Sequence, residues 1–375
     1  MEPVRKHVMQ LDKGPASSLS SRFWVATVTF GIPIKADKLE IELKRHIFEA
    51  ASRLRVDSDF FGLTPLSDPG EDASVDIIAV SGLGGHAFGS WKSRAKHDMW
   101  LRDFLPEAVP TSRIFIYGYD TKLPGSLSDA SILELSRRLL ESVKSTRASA
   151  KNRPIIFIGH SLGNLVIKQV SRSGLRRGIE NESLMTMVRG KPNEELVRSL
   201  SESSPFLGLL HKMSLERFNL RDSRILCVFE TCTTTTVQWS EELGKWTRSG
   251  PNVIMVPRAS AIHARPNEKD HDHLSINANH SDIVKFSDQS DADYIMIQSR
   301  LESLSSRAPE VVRRRLVELD EQLLQTQKRY IKRLKAPDSA SFREFNIDDP
   351  TPGTLSGFVL QPAFQRWVTM KPCYG

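Results

Sequence analysis

The chain has few cysteines, no long apolar run and no secretory leader pattern, and each absence excludes a class of protein. Its 375 residues contain three cysteines, with no Cys-x-x-Cys pair, which fits neither a disulfide framework nor a zinc site. Its longest apolar stretches are strand-sized, whereas a membrane-spanning helix needs about 20 apolar residues. The first residues lack the apolar core of a signal peptide. We therefore expect an intracellular protein, cytoplasmic by default.

The net charge of +7 is compatible with attraction to nucleic acid or to anionic lipid. However, the basic residues are dispersed, and the densest cluster, Arg313-Arg314-Arg315, lies within a helical pattern. Aromatic and basic residues are not interleaved in the way that single-strand binders require. We predict no nucleic-acid partner.

The N-terminal part divides into a polar tail and a short extension. Residues 1–22 are polar and serine-rich, which predicts disorder. Phe23–Phe30 is dense in aromatic and β-branched residues and predicts a strand, while Lys38–Leu54 has helical spacing. Pro65–Asp72 is predicted to be a turn-rich linker. Together these segments form a predicted N-terminal extension over 23–70.

From residue 75 the pattern alternates between strands and helices, which predicts an α/β domain over 71–300 with a mostly parallel sheet between helices. The predicted strands are Val75–Val80, Arg113–Tyr117, Pro154–Ile158, Ile225–Phe229 and Val253–Val256. The predicted helices are Trp100–Leu105, one that begins with a capping box at Ser131, and Leu162–Val170.

The last part of the chain, 301–375, is predicted to be a helical extension. An apolar face marks a helix over about 309–335, formed by Val312, Leu316, Leu319, Leu323 and Tyr330. The spacing is similar to a coiled-coil seam, but its shortness favours a helix that packs on its own domain. A short element is predicted at Phe358–Trp367. The helices of this extension are where we expect any protein partner to bind.

The pentapeptide Gly159-His160-Ser161-Leu162-Gly163 carries the clearest chemical signal. It follows a predicted strand and precedes a predicted helix, which is the setting of the nucleophile elbow of α/β-hydrolases. Gly159 and Gly163 permit a sharp turn that exposes the serine oxygen, and the helix N-terminus stabilises negative charge. Ser161 is therefore the predicted nucleophile, with the N–H of Leu162 in the oxyanion hole. The alternative is a serine in an ordinary β–α turn.

The glycine-rich loop Ser81–His86 follows an earlier predicted strand. A loop at this place exposes backbone N–H groups, and we assign the N–H of Leu83 as the second oxyanion donor. A phosphate loop would need Gly-Lys-Ser/Thr, and a dinucleotide loop a third glycine, and the sequence has neither. The predicted chemistry requires no cofactor.

A nucleophilic serine requires a histidine base, which follows the acid in this fold. The histidines after Ser161 are His211, His263, His271, His273 and His280. His280 is the preferred base because it follows the last predicted strand. His271 and His273 are rivals, and they could instead be metal ligands, although two histidines without a third ligand do not define a site.

Glu230 is the preferred acid because it lies directly after the predicted strand Ile225–Phe229, at its carboxyl end. Catalytic groups gather at the carboxyl ends of parallel strands. Asp270 and Asp272 remain alternatives, and a glutamate at a strand end can also be an ordinary surface residue.

Two regions together resemble a known family. Asp76–Asp120 and Arg153–Gln169 are similar to the lipase-like α/β-hydrolase domain that opens many fungal signalling proteins of the NACHT/ankyrin type. This group is related to the serine-active-site lipase-like proteins and, more distantly, to inositol deacylases of lipid anchors. The resemblance also covers Phe229-Glu230-Thr231 and Asn279-His280-Ser281, and it implies that Glu230 and His280 are the acid and base.

The chain departs from the pattern of this group in three places. Ser81 replaces a histidine, and Asn164 replaces a second glycine after the elbow. The strand that normally follows the elbow helix is missing, with Ser183–Val188 as a weak candidate for it. Members of the group continue into a nucleotide-binding domain, so the resemblance implies a truncated member.

Two functions follow as expectations. The first is an esterase or lipase that cleaves an acyl or lipid ester through Ser161, Glu230 and His280. The second is a non-catalytic interaction module in signalling, which the missing strand and Asn164 favour. The serine-active-site relatives also imply peripheral association with a mitochondrial or endoplasmic reticulum membrane.

Overall fold

The computed structural model describes residues 35–46, 56–171, 182–201, 224–262 and 269–334, with a few isolated positions outside these ranges. The chain divides into two units, Met1–Arg313 and Arg314–Gly375. The first unit contains every predicted site residue.

A four-stranded sheet forms the centre of the first unit. Its strands are β1 (Gly62–Ser67), β2 (Val75–Val80), β3 (Ser112–Gly118) and β4 (Ile155–Gly159), in the order β1-β3-β2-β4. Strand β2 pairs in parallel with both β3 and β4, while β1 pairs antiparallel with β3. With helices against both faces, the protein belongs to the α/β class.

Alternate residues of the two inner strands point into different cores, as the two-residue period of a strand requires. Ile77 of β2 and Ile114 of β3 join a core that includes Trp91, Trp100 and Tyr294. Ile78 and Phe115 of the same strands face a second core on the other side, built with helices that follow β3 and β4. Every residue of β2 and β3 is buried, so this pair of strands is the most protected part of the sheet.

Among the described residues before residue 292, the helices are α1 (Ala36–His46), α2 (Trp100–Asp103), α3 (Leu105–Ala108), α4 (Ile132–Thr146), α5 (Leu162–Ser171), α6 (Glu182–Val188), α7 (Glu194–Arg198) and α8 (Arg258–Ala261). The predicted capping box at the start of α4 is confirmed: Ser131 Oγ accepts from the Glu134 N–H, and the Glu134 carboxylate accepts from the Ser131 N–H.

A second group of strands lies later in the chain. Strand β5 (Cys227–Glu230) pairs in parallel with β10 (His273–Ile276), and this pair is a sheet of its own. Two short antiparallel ribbons lie between them in sequence, β6 (Thr234–Thr235) with β9 (Asn252–Val253) and β7 (Gln238–Ser240) with β8 (Lys245–Thr247).

Strand β4 differs from its neighbour β2 because each of its residues is only partly buried. In the described part of the chain β4 pairs with β2 alone, and no strand occurs between β4 and β5. Ile156 and Ile158 of β4 and Val228 of β5 nevertheless pack against the same core. The two sheets therefore share apolar packing without a hydrogen-bonded ladder between them.

Several expectations need correction. The predicted linker Pro65–Asp72 begins inside β1, where Pro65 is opposite Phe115 and a register shift follows. The weak strand candidate Ser183–Val188 is helical, within α6. The predicted strand Val253–Val256 is reduced to the ribbon strand β9. The predicted helix Lys38–Leu54 is described only as α1, while Phe23–Phe30 and the tail 1–22 lie outside the described ranges.

A buried ionic cluster lies at the amino end of the sheet. Asp76 on β2 has no exposed surface, and both of its oxygens accept from Arg113, at 2.7 and 3.0 Å. Arg147 donates to Asp76 Oδ2 at 2.8 Å, and Arg153 is 3.4 Å from Oδ1. Because several guanidinium groups surround one carboxylate, loss of this carboxylate would leave buried positive charges without a counter-charge.

The longest helix, α9 (Ala292–Leu334), contains Pro309 in its interior. It includes most of the helix predicted over 309–335, and Leu319, Leu323 and Tyr330 on the predicted apolar face are more than half exposed. Within the part of the chain that the structure describes, no helix is both long and apolar enough to cross a membrane. The predicted element Phe358–Trp367 lies almost entirely outside the described residues.

Candidate active site

The predicted elbow is a sharp turn between β4 and α5. Ser161 has a φ of +53°, in the left-handed region that residues other than glycine rarely adopt. Gly163 has no space for a side chain, since an added Cβ would lie 2.2 Å from the Val80 carbonyl oxygen. At Gly159 an added Cβ would lie 2.3 Å from Asn164 Oδ1. The two glycines thus permit the close packing of strand, turn and helix. Asn164, which follows the elbow, is exposed.

The predicted oxyanion loop lies directly against this turn. A Cβ added to Gly82 would be 2.7 Å from Ser161 Cβ. The Gly85 N–H donates to the Gly82 carbonyl, and Gly84 has a φ of +64°, which together form a turn with Leu83 at its first central position. The N–H of that position is not used by the turn. Leu162 is the first residue of α5, and a first-turn N–H has no partner inside its helix.

Glu230 and His280 are in direct contact. Glu230 Oε2 lies 2.7 Å from His280 Nδ1, and the Glu230 side chain is almost fully buried. Glu230 Oε1 accepts from the backbone N–H groups of Met255 and Val256, at 2.6 and 3.2 Å. The buried carboxylate thus has three donors, namely two backbone N–H groups and His280 Nδ1, and the imidazole is held with its Nε2 directed away from Glu230. The backbone N–H of His280 donates separately to Thr234 Oγ1 at 3.0 Å.

The rival residues lie at the other end of the same strand pair. In the parallel register, His273 is opposite Cys227 and Ile276 is opposite Glu230. Asp270, His271 and Asp272 precede β10 in a short 3₁₀ helix, so they lie at its amino end. At about 3.3 Å per residue this end is about 10 Å from the end where Glu230 lies. The remaining candidates, His211 and His263, lie outside the described residues.

His160 connects the elbow to the His280 loop. Its Nε2 lies 2.8 Å from the His280 carbonyl oxygen, and the two imidazole centroids are 4.8 Å apart. Burial and the neighbouring His280 imidazole lower the pKa of His160 to about 3. The ring is therefore neutral near pH 7, and its Nε2 donates to the carbonyl. Within the described residues no hydrogen bond joins Ser161 to His280, and such bonds often form only when substrate is bound.

Sequence reasoning missed three parts of this arrangement. It did not identify Thr234, the Met255 and Val256 N–H groups, or the contact of His160 with His280. All three depend on residues that are distant in sequence, and no local pattern marks them. His160 was visible as a member of the pentapeptide, but its partner was not.

No family model matches the chain. The curated relatives include Protein SERAC1 from Danio rerio, 26% identical over 142 residues, which is 32% of this chain and 21% of that protein. Protein SERAC1 from Mus musculus is 26% identical over 151 residues, covering 34% and 22% respectively. The chain thus spans about a fifth of the length of these relatives. These matches are partial, at 26% identity over about a third of this chain, and they give no support to the fungal NACHT part of the resemblance.

Among solved structures, the chain is similar to YbtT, a type II thioesterase from the yersiniabactin biosynthetic pathway. The TM-score is 0.30 at 14% identity, with coverage of 67% of this chain and 99% of that one. A second YbtT structure, that of a serine-to-alanine mutant, gives the same TM-score at 12% identity. Similarity at this level does not bear on substrate or mechanism.

Proposed function

We propose that the protein is a serine hydrolase with an α/β-hydrolase type of site, which cleaves an acyl ester through Ser161, His280 and Glu230. The observation that carries the proposal is the 2.7 Å contact between Glu230 Oε2 and His280 Nδ1. This contact is found together with a left-handed serine in a strand–turn–helix elbow. A pairing of a buried carboxylate with an imidazole beside such a turn is the arrangement that activates a serine hydroxyl.

In the proposed reaction, His280 Nε2 takes the proton from Ser161 as Oγ attacks the carbonyl carbon of the ester. The N–H groups of Leu83 and Leu162 donate to the oxygen that becomes negatively charged. The C–O bond to the alcohol then breaks, and the alcohol leaves with the proton from His280. Water, deprotonated by His280, attacks the acyl-enzyme, releasing the carboxylic acid and restoring Ser161. Glu230 accepts a hydrogen bond from the His280 Nδ1–H throughout and stabilises the positive imidazolium.

These steps need neither a metal nor an organic cofactor. The acyl or lipid part of the ester is a proposal about substrate class, and the described residues carry no feature that selects an acyl-chain length. Peripheral association with a mitochondrial or endoplasmic reticulum membrane, and protein partners bound through the C-terminal helices, also remain proposals.

The test is labelling of the purified protein with a fluorophosphonate probe, which reacts with activated serines. We expect wild type to be labelled and Ser161→Ala to be unlabelled. The matched control is Ser145→Ala, an exposed serine near the end of α4, which should be labelled like wild type. All three proteins should show a cooperative thermal transition, so that loss of labelling is not loss of folding.

The second candidate function is a non-catalytic interaction module with the same fold. Two observations favour it: the separate sheets that carry the two parts of the site, and the partly buried strand β4. A wild type that folds cooperatively but does not react with the probe would overturn the enzymatic proposal in favour of the module.

A further inference from the structure

The side chain next to the nucleophile, His160, lies where three elements of the site meet. Its backbone N–H donates to the Val80 carbonyl at the end of β2. Its ring Nδ1 faces the oxyanion loop, because a Cβ added to Gly82 would be 3.3 Å from it. Its Nε2 lies 2.8 Å from the His280 carbonyl oxygen. One residue therefore contacts the sheet, the oxyanion loop and the loop of the catalytic base.

The protonation of His160 suits a fixed hydrogen-bond donor. A neutral imidazole has one N–H and one acceptor nitrogen, and the contact with a carbonyl oxygen requires the proton on Nε2. Burial and the nearby His280 ring lower the pKa of His160, so a second proton is disfavoured. The side chain thus remains a neutral donor near pH 7.

His280 itself has two other hydrogen-bond partners, and both belong to the later strands. The His280 N–H donates to Thr234 Oγ1, and its Nδ1 contacts Glu230. These contacts fix the imidazole relative to β5 and β6, but they do not fix it relative to Ser161. Among the described residues, the hydrogen bond from His160 is the one that joins the His280 loop to the elbow.

We infer that His160 is a positioning residue, which sets the distance between Ser161 and His280 by holding the His280 carbonyl. The inference rests on the proposed function, because it assigns His160 a part in the same reaction. Because the described strands of the two sheets share no hydrogen-bonded ladder, a misplacement of His280 relative to Ser161 would not be corrected by pairing between them. A displacement of about 1 Å can cost about 100-fold in rate.

The test compares three substitutions that differ in their ability to reach the His280 carbonyl. His160→Gln keeps an N–H donor at about the position of Nε2, whereas His160→Phe fills the space of the ring without a donor. His160→Asn keeps an amide that is too short, and it serves if the Phe variant does not fold. Each folded variant is assayed for fluorophosphonate labelling rate and for kcat and KM with a short-chain p-nitrophenyl ester.

We expect the Phe and Asn variants to lose about 10- to 100-fold in labelling rate and kcat with little change in KM. The Gln variant should recover to within a few-fold of wild type. A role in stability alone would lower the thermal midpoint without this rescue. If the Phe or Asn variant is folded and reacts at the wild-type rate, or if Gln is no better than Phe, the inference is wrong.

A second readout separates this inference from the proposed function. The His280 Nδ1 proton shared with Glu230 should give a low-field proton NMR signal, which is assigned by its loss in His280→Gln. We expect the signal in wild type and His160→Gln, and its shift or broadening in His160→Phe and His160→Asn. If wild type fails to react with the probe, the proposed function fails, and this signal alone decides the positioning role. An unchanged signal in the Phe and Asn variants would then overturn it.

Discussion

The two parts of the candidate site are built in different ways. Ser161 and the oxyanion loop, here called the nucleophile half, follow strands of a four-stranded sheet whose inner strands are wholly buried. Glu230 and His280, the acid–base half, belong to a two-stranded sheet flanked by short ribbons. The first half is held by a continuous backbone ladder and two cores. The second is held to the first by side-chain contacts.

This difference shows what must align the two halves. In a continuous sheet, backbone pairing fixes where the strand ends lie relative to one another. Here the crossing contacts include apolar packing around Ile156 and Val228, the 3.0 Å hydrogen bond from Trp100 Nε1 to the Val284 carbonyl, and the contact of His160 with His280. Removing buried support beneath the nucleophile half should therefore mainly affect folding, whereas changes in the acid–base half should mainly affect the reaction.

The largest effect is expected from Glu230→Gln in the acid–base half. An amide in place of the carboxylate would no longer stabilise the imidazolium and would favour the wrong tautomer of His280. By analogy with other triads we expect kcat for a p-nitrophenyl ester to fall about 10³- to 10⁴-fold. Glu241→Gln, at an exposed glutamate of the nearby hairpin turn, is the control and should keep full activity. A Glu230→Gln protein of wild-type activity would remove Glu230 from the site.

The next effect concerns the buried cluster of the nucleophile half. Asp76→Asn would leave the guanidinium groups of Arg113 and Arg147 buried without a counter-charge. We expect the free energy of unfolding in urea to fall by about 3–5 kcal/mol. Glu141→Gln removes an exposed ion pair with Lys144 and should cost at most about 1 kcal/mol. Equal losses in the two variants would contradict the structural role of the cluster.

A third effect is the pH dependence that His160 adds to stability. Its pKa is about 3 in the folded protein and 6.5 without these surroundings. Between these values only the unfolded chain binds the proton, so the stabilisation is complete above about pH 6.5 and is lost as the pH falls towards 3. Relative to His160→Gln, wild type should lose up to about 3 kcal/mol of unfolding free energy between pH 7 and pH 4. Parallel pH profiles of the two proteins would refute this.

The smallest effect should come from the surface contacts between the halves. Arg94 forms an ion pair with Asp282, two residues after His280, but the Arg94 side chain is 59% exposed. Arg94→Gln should change the free energy of unfolding by no more than about 1 kcal/mol, and this difference should shrink in high salt. Lys96→Gln, which breaks the similar pair with Asp288, is the comparison. A salt-independent loss of several kcal/mol would show that surface charge joins the halves.

The sequence predicts the nucleophile half much better than the acid–base half. The strand, turn and helix around Ser161 are contiguous, so their local pattern is sufficient. Strand β1 was hidden by Pro65, which is tolerated there because β1 is at the edge of the sheet that the described strands form. The run Ser183–Val188 is a short apolar segment of the kind whose periodicity does not separate strand from helix.

The acid–base half was predicted in part through the family resemblance. Strand β10 has the mixed sequence His-Leu-Ser-Ile, and it is a strand because it pairs with β5. Its register is what separates Glu230 from Asp270 and Asp272. Thr234 and His160 lie 46 and 120 positions from His280 in the sequence. Tertiary packing, which no local pattern encodes, brings them into contact with it.

The left-handed backbone of Ser161 has a consequence for the stability of the protein as a whole. A residue other than glycine at this φ costs about 1–3 kcal/mol, and glycine adopts it freely. Ser161→Gly should therefore unfold at a higher temperature than Ser161→Ala, although neither has the nucleophile. If the site is catalytic, the wild-type chain has a serine where glycine would fold more favourably. The nucleophile then lowers the thermal stability of the protein as a condition of its reactivity.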